Sequence, residues 1–233
     1  MKRLAADTLG MTPSLGSPTL LIVPTQLELA RLKDLGGFGM GTCVVAQCGF
    51  GPVAAAARTA QLIAEIGPKR VLLVGIAGAY DSESHPIGTA IEFGEVALHG
   101  VGAGEAQNFE GPPSLGFPQW PGSPGTCAHP VVDNLPLGVP SGTQFGQLLT
   151  TCAASKGEVE TARRREMFPK AVAEDMEGFA VALSCALNET PLRIVRGISN
   201  QVGDREPANW RIPAGLAAAR ELAMELLNEG DWV

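Results

Sequence analysis

The chain has 233 residues, with 24 Asp or Glu against 17 Lys or Arg and a net charge of −7. This length fits one domain, or two small ones, and buries a core that needs no disulfide or metal staple. The acidic balance argues against nucleic acid or an anionic membrane as the main partner, and strong apolar runs exclude wholesale disorder despite 29 glycines and 18 prolines.

Residues 1–18 carry Lys2 and Arg3 but no unbroken apolar stretch behind them. They read as a loose leader rather than a signal peptide, which places the protein in the cytoplasm. No apolar run approaches the length needed to cross a bilayer. The five cysteines (Cys43, Cys48, Cys127, Cys152, Cys185) form no C-x-x-C pair, and His85, His99 and His129 have no metal-like spacing. Buried thiols in a reducing compartment, with no metal and no cofactor, are therefore expected.

From residue 19 onward, short apolar runs alternate with helical segments. TLLIVPT (19–25) is of strand length and precedes the helix-like QLELARLKDLG. TCVVAQCG (42–49) predicts a second strand, and PVAAAARTAQLIAEIG (52–67) a helix opened by Pro52 and stopped by Gly67. RVLLVGIAGAY (70–80) predicts a third strand running into a turn at Gly75–Gly78, and IEFGEVALHG (91–100) a fourth. Eleven of residues 102–126 are Gly or Pro, so a long irregular segment is expected, extending to about 146. Beyond it come a strand in 143–153, a polar helix at 158–168 with a solvated Arg163–Arg165 run, and a buried helix over 173–189. A strand at 191–199 and a terminal helix at 213–230 complete an α/β pattern with both sheet faces covered.

In open α/β sheets, ligands bind beyond the C-terminal strand ends. Those ends deliver Glu28, the Gly49–Gly51 cluster, Ile76-Ala77-Gly78, Ser199-Asn200 and Asp204-Arg205, while the buried segment adds Met176-Glu177. Each has a plain alternative. Glu28 and Glu177 could be first-turn carboxylates favoured by a helix dipole, Asn200 could be a turn residue, and neither glycine cluster completes a dinucleotide or Walker pattern.

The segment 173–221 resembles the nucleoside phosphorylase and nucleosidase superfamily, through Met176-Glu177-Gly178 and Arg196-Gly197-Ile198-Ser199-Asn200. Val202-Gly203-Asp204-Arg205 and Trp210 bring it close to the branch that hydrolyses futalosine in menaquinone biosynthesis. The resemblance covers about 19–230. It implies a single three-layer αβα domain over 19–233 with a mixed central sheet, a homo-oligomer, and a nucleoside and water as substrates. By position it implies that Glu28 activates water, Glu177 holds the ribose hydroxyls and Met176 packs the sugar. Ile76, Ala77 and Gly78 then line the pocket, and Asn200, next to Ser199, contacts the purine.

Relatives that cleave adenine nucleosides carry Asp where this chain has Asn200. An amide both donates and accepts, which suits a 6-oxopurine such as hypoxanthine, but it cannot release a proton. Asp204 or water is then the candidate acid. Hydrolysis is favoured over phosphorolysis because Lys69 and Arg70 sit at the wrong end of their strand for a phosphate clamp and Arg58 lies within a helix, leaving only Arg31 near enough. Phosphorolysis and silent nucleoside binding remain the alternatives. The chain departs from its relatives at Pro24 and in TTCAASKG (150–157), which lacks the aromatic that stacks on the base; Phe109, Phe117, Trp120 and Phe179 are candidates to replace it.

Overall fold

A computed structural model describes residues 16–39, 43–138, 146–229 and 232. Most of the expected leader, and the start of the strand expected in 143–153, lie outside these residues.

Nine strands form one mixed sheet: β1 (Thr19–Val23), β2 (Cys43–Gln47), β3 (Arg70–Ala79), β4 (Ala90–Glu92), β5 (Glu95–His99), β6 (Asn134–Pro136), β7 (Gln147–Thr151), β8 (Ala171–Asp175) and β9 (Leu192–Gln201). The order runs β2-β1-β3-β8-β7-β5-β6, with β9 pairing both β3 and β4. The helices are α1 (Gln26–Asp34), α2 (Pro52–Ile66), α3 (Pro112–Leu115), α4 (Glu158–Met167), α5 (Gly178–Leu187) and α6 (Ile212–Asn228).

The period of two along a strand explains why β1 and β3 read as unbroken apolar runs. Leu20, Ile22, Val71 and Leu73 enter a core shared with Leu62 and Ile63 of α2 and Phe179 of α5. Their neighbours Leu21, Val23, Leu72 and Val74 enter the opposite core, with Leu32 of α1 and Leu216 and Ala219 of α6. Burying both faces leaves no polar side in these strands, and the result is three layers. Strand β9 and helix α6 approach until a Cβ on Gly197 would lie 1.8 Å from the Gly215 carbonyl oxygen, so no larger residue fits there.

Several expectations need correction. The Gly75–Gly78 stretch is not a turn, because β3 continues through it in register with β9, with one bulge at Ala77/Gly78. The fourth strand is two, since β4 pairs antiparallel with β9 whereas β5 pairs parallel with β7. The expected helix at 173–189 starts only at Gly178, because 173–175 complete β8 against β7. The Gly/Pro-rich segment is mainly irregular, yet holds a 3-10 turn at Ala106–Asn108, the four-residue α3 and the short strand β6. Among the described residues no helix is long and apolar enough to cross a membrane, and no His, Cys, Asp and Glu group could hold a metal.

Candidate active site

The site begins at the end of β1. Thr25 caps α1, and Glu28 completes a capping box, its Oε2 accepting from Thr25 N at 3.0 Å and Thr25 Oγ1 at 2.6 Å. The plain reading of Glu28 as a first-turn carboxylate is therefore correct. It also has a second role, because Oε1 turns to β3 and accepts the Ile76 N–H at 3.0 Å, leaving the residue 4% exposed.

Beside it lies a residue that the sequence places in the family motif but to which it assigns no role in the site. Arg196 on β9 is fully buried. Its Nε donates to Asp175 Oδ2 at 3.0 Å, Nη2 donates to the same oxygen, and Glu177 Oε2 lies 3.6 Å from Nη2. Nη1 is buried with no hydrogen-bond partner. A charged residue inside the apolar run LRIVRGIS is a signal available in the sequence, because a buried guanidinium requires carboxylate partners. Gly75 makes the junction possible: a Cβ there would stand 2.2 Å from Arg196 Nη1 and 2.7 Å from Glu28 Oε1.

Glu177 precedes α5, and its Oε1 accepts the Gly51 N–H at 3.0 Å. Burial pushes its carboxyl up to about 7, reinforced by Asp175 and Glu28 and opposed by Arg196 and the Gly51 hydrogen bond. Asp175 is held in turn by Thr150 Oγ1 at 2.6 Å and Gly178 N at 2.8 Å. Nearby Cys48 is also raised, to about 12, chiefly by burial; its thiol stays protonated and is not a nucleophile.

At the other end, Ser199 Oγ reaches Asn200 Oδ1 at 2.7 Å and the Ala77 carbonyl at 3.2 Å, and Asn200 Nδ2 donates to Gln201 O at 2.8 Å. These contacts fix the amide at the wall of an open cleft lined by Gly78, Ser155, Glu174, Met176, Asn200 and Arg205 among others. Ile76 and Ala77 lie one and two residues before Gly78 on the same strand.

Asp204 is not brought to this cleft. Its carboxylate accepts from Glu206 N at 2.8 Å and Asn209 Nδ2 at 2.9 Å, which hold its pKa below the ordinary range. A carboxyl kept ionised has no proton to donate, which counts against Asp204 as the acid. None of the four candidate aromatics lines the cleft: Phe179 is core, Phe109 packs on His99, Trp120 donates to Cys127 O, and Phe117 is 75% exposed.

The Arg163–Arg165 run is not uniformly solvated. Arg164 is buried and donates to Glu174 Oε2 at 3.0 Å, Ser155 Oγ at 2.7 Å and Ala153 O at 2.8 Å. Glu174 also accepts from Tyr80 Oη at 2.8 Å and Ser155 N at 2.7 Å, tying β3, β8, α4 and the loop after β7 together behind the cleft.

The model of the family described as "Phosphorylase superfamily" matches residues 35–229. Futalosine hydrolase of Streptomyces coelicolor is 34% identical over 185 residues, 76% of this chain and 75% of its own. A 5′-methylthioadenosine/S-adenosylhomocysteine nucleosidase of Colwellia psychrerythraea is 29% identical over 234 residues, 91% of this chain and 92% of its own. Among solved structures, futalosine hydrolase of Helicobacter pylori superposes with a TM-score of 0.70 at 18% identity, covering 93% of this chain and 100% of that one. The C. psychrerythraea nucleosidase in complex with adenine gives a TM-score of 0.68 at 21% identity, covering 91% and 95%. The chain belongs to the phosphorylase superfamily. The relatives just described are, by name, hydrolases and nucleosidases.

Proposed function

We propose that the protein hydrolyses the N-glycosidic bond of a nucleoside, and that the nucleoside is a 6-oxopurine one, futalosine above all, giving dehypoxanthine futalosine and hypoxanthine. The observation that carries this reading is the buried group of Glu28 and Arg196 packed against Gly75, with Glu177 beside Arg196 and Asn200 held at the wall of the neighbouring cleft.

Cleavage of such a bond passes through an oxocarbenium-like sugar. Glu28 accepts the proton of the attacking water, and the unpartnered Nη1 of Arg196 donates to that water's oxygen. Glu177 Oε2, which lies 3.6 Å from Arg196 Nη2 and carries no hydrogen bond among the described residues, accepts from the ribose hydroxyls and lends negative charge near the developing cation. Met176 packs the sugar, and the backbone of Ile76, Ala77 and Gly78 leaves room for it. Ser199 orients Asn200, whose remaining N–H and lone pair face the purine's N7 and O6.

Phosphorolysis is disfavoured by charge. Arg196 is ringed by Asp175, Glu177 and Glu28, which repel a phosphate dianion. Arg70 is engaged with Thr19 and Leu227, and Arg58 pairs with Glu65.

A base-release assay on futalosine, inosine, adenosine and 5′-methylthioadenosine, each with and without phosphate, tests the reading. Hypoxanthine should be released from futalosine without phosphate. Strict dependence on phosphate would establish a phosphorylase, and preferential adenine release would establish a methylthioadenosine-type nucleosidase.

A further inference from the structure

A 6-oxopurine leaving its sugar takes the electron pair of the broken bond, and of the two candidate acids, Asp204 and water, the side chain supplies no proton. Asn200 is an amide, and Asp204 is held ionised by Glu206 N and Asn209 Nδ2. What the cleft does contain is Arg205, the one cationic side chain among the described residues that line it. No carboxylate among the described residues forms an ion pair with it. Its guanidinium carbon instead stands 4.8 Å from the centre of the Trp210 ring. Trp210 Nε1 donates to the Asp204 carbonyl at 3.1 Å. Asp204 therefore pins the turn twice, through its carboxylate and its carbonyl, and the turn carries Arg205 against an indole face.

This arrangement orients a cation that the neighbouring Asp204 charge attracts without an ion-pair contact. Stacking on an aromatic fixes the guanidinium plane and leaves its N–H fork unused by carboxylates. We propose that Arg205 is a catalytic residue that stabilises the purine as it departs as an anion, an inference that rests on the hydrolytic reading above. In this step the C1′–N9 bond breaks and its electron pair passes to N9, spreading over the five-membered ring and O6. The water oxygen bonds to C1′ and its proton goes to Glu28. The purine anion, paired with Arg205, takes a proton from solvent as it leaves, and Glu28 returns its proton to solvent. The net change is one water added across the glycosidic bond.

The test compares wild type, Arg205→Gln and Arg205→Lys on three substrates: futalosine, inosine and 4-nitrophenyl β-D-ribofuranoside, whose leaving phenolate is stable in water unaided. Arg205 is exposed, so loss of its electrostatic contact should lower kcat by about 10–100-fold. Arg205→Gln should show that loss on futalosine and inosine alike with little change in KM. It should lose less than about 5-fold on the nitrophenyl riboside, and Arg205→Lys should recover part of the rate on both nucleosides. An equal loss on all three substrates would make Arg205 structural and overturn the assignment. So would a loss confined to KM for futalosine, which would make Arg205 an anchor for that substrate's acidic substituent, and so would an unchanged kcat. These outcomes leave the functional reading intact if the wild type releases hypoxanthine. A wild type inactive on both purine nucleosides would remove that reading and the assignment together.

Discussion

The Glu28 carboxylate accepts the backbone N–H of Ile76 at 3.0 Å, so the first turn of α1 is bonded to the middle of the longest apolar strand. The same side chain closes the α1 capping box, which makes its capping and chemical roles separable by one substitution. Gln at this position preserves the capping box, because its carbonyl still accepts from Thr25, but its amide then faces the Ile76 N–H, which loses its acceptor. Gln also cannot take a proton from water. Glu28→Gln should therefore lower kcat by about 10²–10⁴-fold, while stability falls by about 1–3 kcal/mol for the unsatisfied Ile76 N–H and substrate still binds. Calorimetric titration with substrate and single-turnover kinetics measure the two effects separately; retained turnover would remove Glu28 as the base.

Gly75 tests the geometry rather than the chemistry. Its backbone is ordinary strand, so an added methyl strains only the space occupied by Arg196 Nη1, Glu28 Oε1 and, less severely, Pro24 Cδ. Gly75→Ala should cost about 1–3 kcal/mol of stability and most of the activity. Denaturant unfolding and steady-state kinetics would reveal both, and an active variant of wild-type stability would mean the two side chains have slack that the structure does not show.

The raised carboxyl of Glu177, at about 7, gives a pH prediction with a definite sign. Accepting ribose hydroxyls requires the ionised form, so kcat/KM in the free enzyme should fall as pH drops below about 7. Stability runs the other way. Between the unfolded value of 4.5 and about 7 the native state holds a proton that the unfolded chain has lost. Burial of Glu177 therefore favours the fold at low pH and opposes it as pH rises through 7. Glu177→Gln should raise Tm at pH 8 in the ligand-free protein, have little effect at pH 4.5, and abolish tight nucleoside binding. A lower Tm at pH 8 would contradict the burial argument.

Arg164 and Arg165 are adjacent in sequence and opposite in energetics. Removing one partner of a buried pair costs about 3–5 kcal/mol because the other charge is stranded, so Arg164→Ala should unfold at markedly lower denaturant through the loss of Glu174, Ser155 and Ala153 contacts. Arg165→Ala, at an exposed position, should change stability by less than about 0.5 kcal/mol. Equal effects would show that the buried pair contributes nothing in solution.

The parts of the fold that were legible are those where local pattern and tertiary demand agree. β1, α2 and β9 follow from apolar runs and from Pro52 and Gly67 as helix punctuation. The errors fall where the two disagree. Ala173-Glu174-Asp175 sits before an Ala-rich helix and shares its composition, yet its backbone bonds go to β7. Gly75 and Gly78 look like turn residues because glycine is common in turns, but Gly75 serves to admit two side chains. In the site, Glu28 and Asn200 were visible as polar residues at strand ends, and Glu177 as a carboxylate at the start of the buried segment. Arg196 and Glu174 were not, since strand-end reasoning ignores a charge in the middle of a strand and the partners that justify burying it come from other segments.

The hydrogen bond from Gly51 to Glu177 joins positions 126 residues apart, and the remaining site residues fall at 28, 75, 175 and 196–205. No fragment of the chain contains the site, and no early local structure assembles part of it. Long-range closure of this kind comes late in folding because chain entropy opposes it until most of the sheet exists. Recovery of nucleoside binding during refolding should accordingly lag behind recovery of helical signal. Ligand affinity thus serves as a sensitive gauge of whether the whole polypeptide, rather than its secondary structure alone, has reached the native state.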